Sequence, residues 1–235
     1  MNSNHWPPSP AVSPVFYAFH ISPQSQKIIC TSEGINYLKR WQPIGCRDLG
    51  TMNVLLKHGV EAYHSRCVTL TLPRRKNDPE TGQVFIVGIS KADRYAIPKY
   101  IRRGAIVVDQ AKVRLPITDT KLKLAMAAEL IKQYRDRARL IITSKIHCAL
   151  PCIAMGIPVV FLYDASKQDD YRVKIINDLV GINYVHKSGW LAKLKNIKLS
   201  RQINWSPEPL EIEAMKQEIK EGFTQAFNRI YQGQT

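Results

Sequence analysis

The chain has 235 residues, 45% hydrophobic and 23% charged, proportions that exclude a largely disordered chain and allow a sizeable core in one large domain or two small ones. No run approaches the ~20 apolar residues that a spanning helix needs. A formal net charge of +15 points to an anionic partner, whether a phosphorylated small molecule, a nucleic acid or an acidic membrane surface.

Residues 1–14 carry four prolines and read as an extended leading segment. The aromatic-rich stretch Pro14–His20 predicts a short strand, and a helix follows over Gly34–Arg40. A second helix opens after Asp48, a suitable N-cap. It carries Met52, Leu55 and Leu56 on one face and stops at Gly59 in the C′ position. Val60–His64 and Cys67–Leu72 predict two more strands, the latter alternating threonine with apolar residues. The polar, turn-rich stretch Arg74–Gly82 reads as a linker.

Beyond the linker the pattern becomes strand, helix, strand, and the charge excess concentrates. Residues 1–82 hold 9 Lys/Arg against 5 Asp/Glu, and residues 83–235 hold 25 against 14. Strands are expected at Val84–Ile89, Ala105–Asp109, Leu140–Thr143 and Pro158–Leu162. Helices are expected at Ile97–Arg103, at 120–136 behind a Thr118 or Asp119 cap, and at Lys145–Met155. This alternation predicts an α/β fold with right-handed β-α-β units and a parallel sheet. A last helix is expected from Ser206-Pro207 onward, docking through Met215, Ile219, Phe223, Phe227 and Ile230. The domain reading is 1–78, 79–205 and a carboxyl-terminal helical segment 206–235.

The residues that carry chemistry cluster in Leu140–Leu162. There an apolar strand runs into Thr143-Ser144, a helix starts with Ser144 as its expected N-cap, Gly156 ends it, and a second apolar strand follows. In an open parallel sheet, ligands bind outside the carboxyl ends of the strands. A helix amino terminus flanked by Lys145 and His147 at that place suits a phosphate or carboxylate. A merely structural reading is open at each position: Ser144 as a cap, Lys145 solvated, His147 satisfying a buried hydrogen bond. Asp48 is first of all a helix cap, and Arg47 either binds an anion or pairs with a surface carboxylate.

The strand–Ser–basic–x–His–helix–Gly–x–Pro–strand pattern of 140–162 resembles the carboxyl-terminal signature of polysaccharide pyruvyl transferases. Pro43–Thr51, running on to Cys67–Pro73, is similar to that family's amino-proximal signature. The resemblance covers about Trp6–Pro73 and Val84–Lys167. It implies two Rossmann-like lobes of the glycosyltransferase-B type with the site in a cleft between them. Because the first block starts near Met1, the amino-terminal lobe is expected to be short or incomplete. It further implies phosphoenolpyruvate as donor and a pyruvate ketal formed on a sugar of a surface polysaccharide or its lipid-linked precursor. On that match His147 is the acid/base residue, and Ser144, Lys145 and Arg47 bind the donor. Asp48, Tyr163 and Lys167 are candidate cleft residues. The family more often has arginine where this chain has Lys145, which replaces a two-pronged grip by a point charge.

No metal or organic cofactor is expected. Cys148 and Cys152 share a helical face beside His147, but no second ligand pair accompanies them, so they read as core thiols. Five cysteines without framework spacing, and a start without an apolar signal-peptide core, suggest a reducing, cytoplasmic setting. Peripheral contact with the inner face of an anionic membrane is compatible with the charge. The basic runs Arg135–Arg139 and Lys193–Arg201 show no interleaved aromatics, so they read as solvated faces and no specific nucleic acid is expected. A nucleotide-sugar-dependent glycosyltransferase and an inactive basic binding protein are the competing readings; the oligomeric state is left open.

Overall fold

Around a cluster of Ile21, Leu38, Ile44, Cys46 and Leu55, all fully buried, the amino-terminal part gathers three helices and two short parallel strands. The helices are α1 (Gln26–Ile29), α2 (Ser32–Arg40) and α3 (Leu49–Lys57); the strands are β1 (Ile44–Cys46) and β2 (Ala62–His64). This computed structural model describes residues 6–91, 93–109, 119–187 and 189–231. Asp48 caps α3 by accepting the Thr51 N–H at 2.8 Å, and Gly59 past its end sits at φ +68°, a conformation glycine adopts without strain.

Three local expectations need correction here. Pro14–His20 forms no strand, only an isolated bridge from Phe19 to Cys46, because Ala18 takes φ +54° and interrupts the extended run. Cys67–Leu72 is also not a strand. Arg66 turns the chain at φ +63°, and Val68–Thr71 closes into a 3₁₀ turn that buries Leu70 alone. On α3, Leu55 is buried but Leu56 is exposed.

The second part holds five strands: β3 (Gln83–Val87), β4 (Ile106–Val108), β5 (Ala138–Thr143), β6 (Val159–Asp164) and β7 (Asn183–Val185). They pair in parallel in the order β4-β3-β5-β6-β7. Val84–Val87 and Leu140–Ile142 are continuous apolar runs because the central strands are covered on both faces. Parallel neighbours require crossovers, supplied by α4 (Lys99–Arg102), α5 (Thr120–Arg137), α6 (Ile146–Ala154) and α7 (Lys174–Asn177). Helix α8 (Gly189–Gln202) follows β7. The expected helix 97–103 is shortened to α4 with Pro98 at its N-cap, and a separate 3₁₀ turn at Asp93–Ala96 precedes it. Asp119 caps α5; Thr118 lies outside the described residues. Tyr134 of α5 is fully buried, edge-on to Phe85 at 5.4 Å.

The chain closes with α9 (Glu213–Tyr231), which starts seven residues after Ser206 because Pro207 and Pro209 hold Ser206 and Glu208 out of the helical region. Its buried positions are Lys216, Ile219 and Ala226, whereas Phe223 and Phe227 are each 45% exposed, so the stripe is rotated from the expected one. Tyr17 donates to the Ile219 carbonyl at 2.8 Å, and its hydroxyl lies 2.8 Å from where a Cβ on Gly222 would sit. Two compact units result: the described residues of 1–71 with those of 213–235, and the described residues of 72–212. Arg74–Gly82, expected as a linker, packs within the second unit, where the Arg75 main-chain N–H donates to Met155 and its guanidinium to the Ala138 carbonyl.

Ile142 sits in the middle of β5 with no exposed surface. Ile142→Ala should lower stability by about 3 kcal/mol through lost burial and an unfilled cavity. A denaturant midpoint for this unit's unfolding that matches the native protein would contradict the packing described.

Candidate active site

In sequence order the sheet of the second unit runs second, first, third, fourth, fifth, so the winding reverses between β3 and β5. At such a switch point the crossovers leave in opposite directions and open a crevice at the strands' carboxyl ends. A cavity of about 600 Å³ lies there, a size ordinary for small-molecule sites. Gly88 follows β3 and Ser144-Lys145 follows β5; Leu162–Asp164 closes β6 and Val185 closes β7, and all line the cavity.

The turn after β5 is fixed by hydroxyls. Thr143 donates to the Val87 carbonyl at 3.0 Å and accepts the Lys145 N–H at 3.0 Å. Ser144 is not the N-cap: its hydroxyl donates to the Gly88 carbonyl at 2.7 Å, and the capping position falls on Lys145, which makes no side-chain cap bond. Ser144 therefore staples the carboxyl ends of β3 and β5 together. His147 lies in the first turn of nine-residue α6, where the helix dipole favours an anion, and lines the same cavity. Gly88 takes φ +64°, and a Cβ there would fall 2.6 Å from Cε and 2.7 Å from Cγ of Lys145. The lysine stem thus lies across the face that a side chain would occupy.

Three carboxylates share the cavity wall, and two are matched by cations. Asp164 pairs with Lys187 at 2.8 Å, and the hydrogen bond from that ammonium holds its carboxyl down to about 2. Asp170 pairs with Arg172 at 2.6 Å and accepts the Tyr163 hydroxyl at 2.7 Å. The Arg172 hydrogen bond keeps Asp170 at about 2, while burial and the neighbouring carboxylate push Tyr163 up to about 12. Tyr163 is therefore a neutral donor at neutral pH. Asp93 accepts from Ser90 at 2.8 Å, and its other oxygen is buried without a hydrogen-bond partner among the described residues. Lys145 and Lys167 line the cavity with no carboxylate in ion-pair reach among the described residues.

Asp93, Asp170, Arg172 and Lys187 were not singled out from the sequence. They come from separate turns and loops, and the ends of β3, β6 and β7 bring them together. Arg47 and Asp48 belong to the first unit. There buried Asp48 accepts from the His20 ring at 2.8 Å, and Arg47 Nε lies 3.6 Å from the same carboxylate without a hydrogen bond. Burial opposes ionisation of Asp48, but hydrogen bonds from His20 and Thr51 outweigh it and hold the carboxyl below its ordinary value. His20, 28 residues away in sequence, carried no local signal for this contact.

A family model described as polysaccharide pyruvyl transferase matches residues 10–166, two-thirds of the chain. The chain belongs to the polysaccharide pyruvyl transferase family. It is thus an enzyme of the pyruvyl-transferring class, with a sugar or polysaccharide as the acceptor that the family implies. No curated protein and no solved structure matches the chain. The matched segment of this pyruvyl transferase runs through β6 and ends before Lys167, so β7, α8 and α9 lie outside it. Cys148 and Cys152 are buried in α6, and no group of three His, Cys, Asp or Glu among the described residues is placed to hold a metal. Among the described residues no helix is long and apolar enough to cross a membrane.

Gly88→Ala should cost about 1–2 kcal/mol from the left-handed backbone alone, plus the clash with Lys145. In a Lys145→Ala background the cost should fall to the backbone part; equal costs in both backgrounds, read by thermal melting, would remove the contact. For Asp164 the folded value lies below the ordinary 3.8, so its contribution is complete above that pH and lost as pH falls toward about 2. Lys187→Met should therefore reduce stability at neutral pH by no more than about 1 kcal/mol, since the ammonium is half-exposed. The deficit should vanish across that acid window in melts taken as a function of pH; a deficit unchanged at pH 2 would dissociate it from this ion pair.

Proposed function

We propose that this pyruvyl transferase takes phosphoenolpyruvate as donor in the crevice of the second unit and forms a pyruvate ketal on a sugar diol. The supporting observation is the pair Lys145 and Lys167, uncompensated beside a helix amino terminus, with His147 in the same first turn. A donor carrying both a phosphate and a carboxylate needs fixed positive charge already in place before reaction. Lys145 and Lys167 supply it, the α6 dipole adds to it, and Ser144 holds the turn that aims Lys145.

The chemistry is a net addition followed by a displacement. A sugar hydroxyl oxygen bonds to C2 of the enol phosphate while the C3 methylene gains a proton and becomes a methyl group. The second hydroxyl then bonds to C2, the C2–O bond to phosphate breaks, and inorganic phosphate leaves with that hydroxyl's proton. His147 takes the proton of the attacking hydroxyl and delivers one to the methylene, a dual role that an imidazole performs near neutral pH. Tyr163, whose proton goes to Asp170, offers its oxygen as an acceptor to a sugar hydroxyl, and the unmatched oxygen of Asp93 accepts from another. In this reading the chain is a two-lobe enzyme of the glycosyltransferase-B type, and Arg47 and Asp48 belong to its first lobe. The acceptor belongs to a surface polysaccharide or its lipid-linked precursor, and the enzyme works on the cytoplasmic side.

Calorimetric titration with phosphoenolpyruvate should show binding that Lys145→Ala weakens roughly tenfold or more. His147→Ala should keep donor binding yet lower phosphate release in the presence of sugar acceptors by roughly a hundredfold or more. Tight binding of a nucleoside diphosphate sugar in place of phosphoenolpyruvate would replace this reading with that of a glycosyltransferase.

A further inference from the structure

Outside the candidate site, the second unit carries a second concavity of about 850 Å³ formed by α4, the start of β5 and the exposed side of α8. It shares no lining residue with the first. Five cations line it, Lys99, Arg102, Arg139, Lys193 and Arg201, and no Asp or Glu does among the described residues. The surrounding sequence is equally one-sided: residues 94–108 and 187–207 contain nine Lys/Arg and no Asp or Glu. Of these nine, Lys187 alone is paired with a carboxylate among the described residues, Asp164 of the first cavity.

The same surface is unusually apolar for one so charged. Tyr95, Tyr100, Trp190, Leu191 and Leu194 are each between 53% and 74% exposed. Helix α8 is anchored by its other side, where Ala192 and Asn196 are buried and the Asn196 amide exchanges two hydrogen bonds of 2.9 Å with the His186 main chain. That anchoring turns Trp190, Lys193, Leu194, Ile197 and Arg201 outward along one stripe, at helical spacings of three and four. The 3₁₀ turn packed on α8 adds Tyr95, whose ring faces the Arg102 guanidinium at 5.6 Å and the Lys193 ammonium at 5.8 Å. Aromatics absent from the basic run in sequence are thus supplied by a segment almost a hundred residues earlier, and the surface is not a simple solvated face.

We propose that this surface docks the enzyme on an anionic lipid bilayer, with lipid phosphates seated in the basic concavity and Trp190, Leu191 and Leu194 entering the headgroup–acyl boundary. Cations draw the protein to a negative surface, and exposed aromatic and aliphatic side chains find an apolar medium just beneath it. A nucleic acid would satisfy the cations and aromatic rings but would leave the leucines in water. The inference stands on this surface alone and does not depend on which donor the crevice binds.

The test is sedimentation of the full chain with vesicles of phosphatidylcholine alone and of equal parts phosphatidylcholine and phosphatidylglycerol. The native protein should bind only the anionic vesicles. Lys99→Gln with Lys193→Gln, both exposed lysines, should weaken that binding by about thirtyfold while leaving the melting temperature unchanged. Tryptophan emission should shift to the blue on vesicle addition, and Trp190→Phe should abolish the shift. Absence of binding to the anionic vesicles, or equal binding by the double-glutamine variant, would overturn the proposal. So would full competition by inorganic polyphosphate or single-stranded DNA without any Trp190 shift, which would identify a site for a soluble polyanion.

Discussion

The carboxyl ends of β3 and β5 are held together by two hydroxyl hydrogen bonds, from Thr143 to Val87 and from Ser144 to Gly88, and the crevice of the second unit is organised around them. The strands are neighbours in the sheet although 50 residues separate Val87 from Ala138 in the chain. Their crossovers depart in opposite directions, so the ends stay uncovered. Gly88 can adopt a left-handed conformation there, and the space its missing Cβ leaves is taken by the stem of Lys145. A strand pairing, a glycine and a lysine thereby become one constraint, and His147 follows because it lies two residues further on, in the first turn of α6.

Charge is distributed differently at the two concavities of the second unit. In the crevice, Asp164 and Asp170 are spent on Lys187 and Arg172, which shapes the wall and leaves Lys145 and Lys167 as the cations available to a small anion. In the basic concavity, no carboxylate among the described residues offsets the cations, and the neighbouring side chains are aromatic and aliphatic. Partial compensation limits a site to a ligand of defined charge and shape, whereas an uncompensated field attracts extended anionic surfaces. The net charge of +15 is therefore unevenly placed, partly offset by carboxylates in the crevice and unopposed at the basic concavity.

The family match bears on the two concavities unequally. It covers the strands that form the crevice and stops before β7 and α8, the elements that complete its far wall and build the basic surface. Lys187, at the end of that far wall, pairs with Asp164 and holds its carboxyl down, so even a residue within the matched segment is tuned by one outside it.

Much of the second unit was legible in the amino-acid sequence. Continuous apolar runs fix β3, β5 and β6, Asp119 and Gly156 mark helix ends, and Ser144, Lys145 and His147 fall at a strand's carboxyl end by spacing alone. These features depend on contacts within a few residues, and local propensity and periodicity encode them. What the sequence could not display were pairings across long separations: Asp48 with His20, Asp164 with Lys187, Tyr95 with Lys193. The same limit explains the misplaced strands at 14–20 and 67–72, where single residues at positive φ, Ala18 and Arg66, are held by tertiary contacts rather than by their own preference. Local sequence determined which segments become strands and helices and which residues sit at their ends. Only the tertiary structure decided which charges are neutralised and which are left to meet a ligand, because that depends on the side chains that the fold brings within a few ångströms.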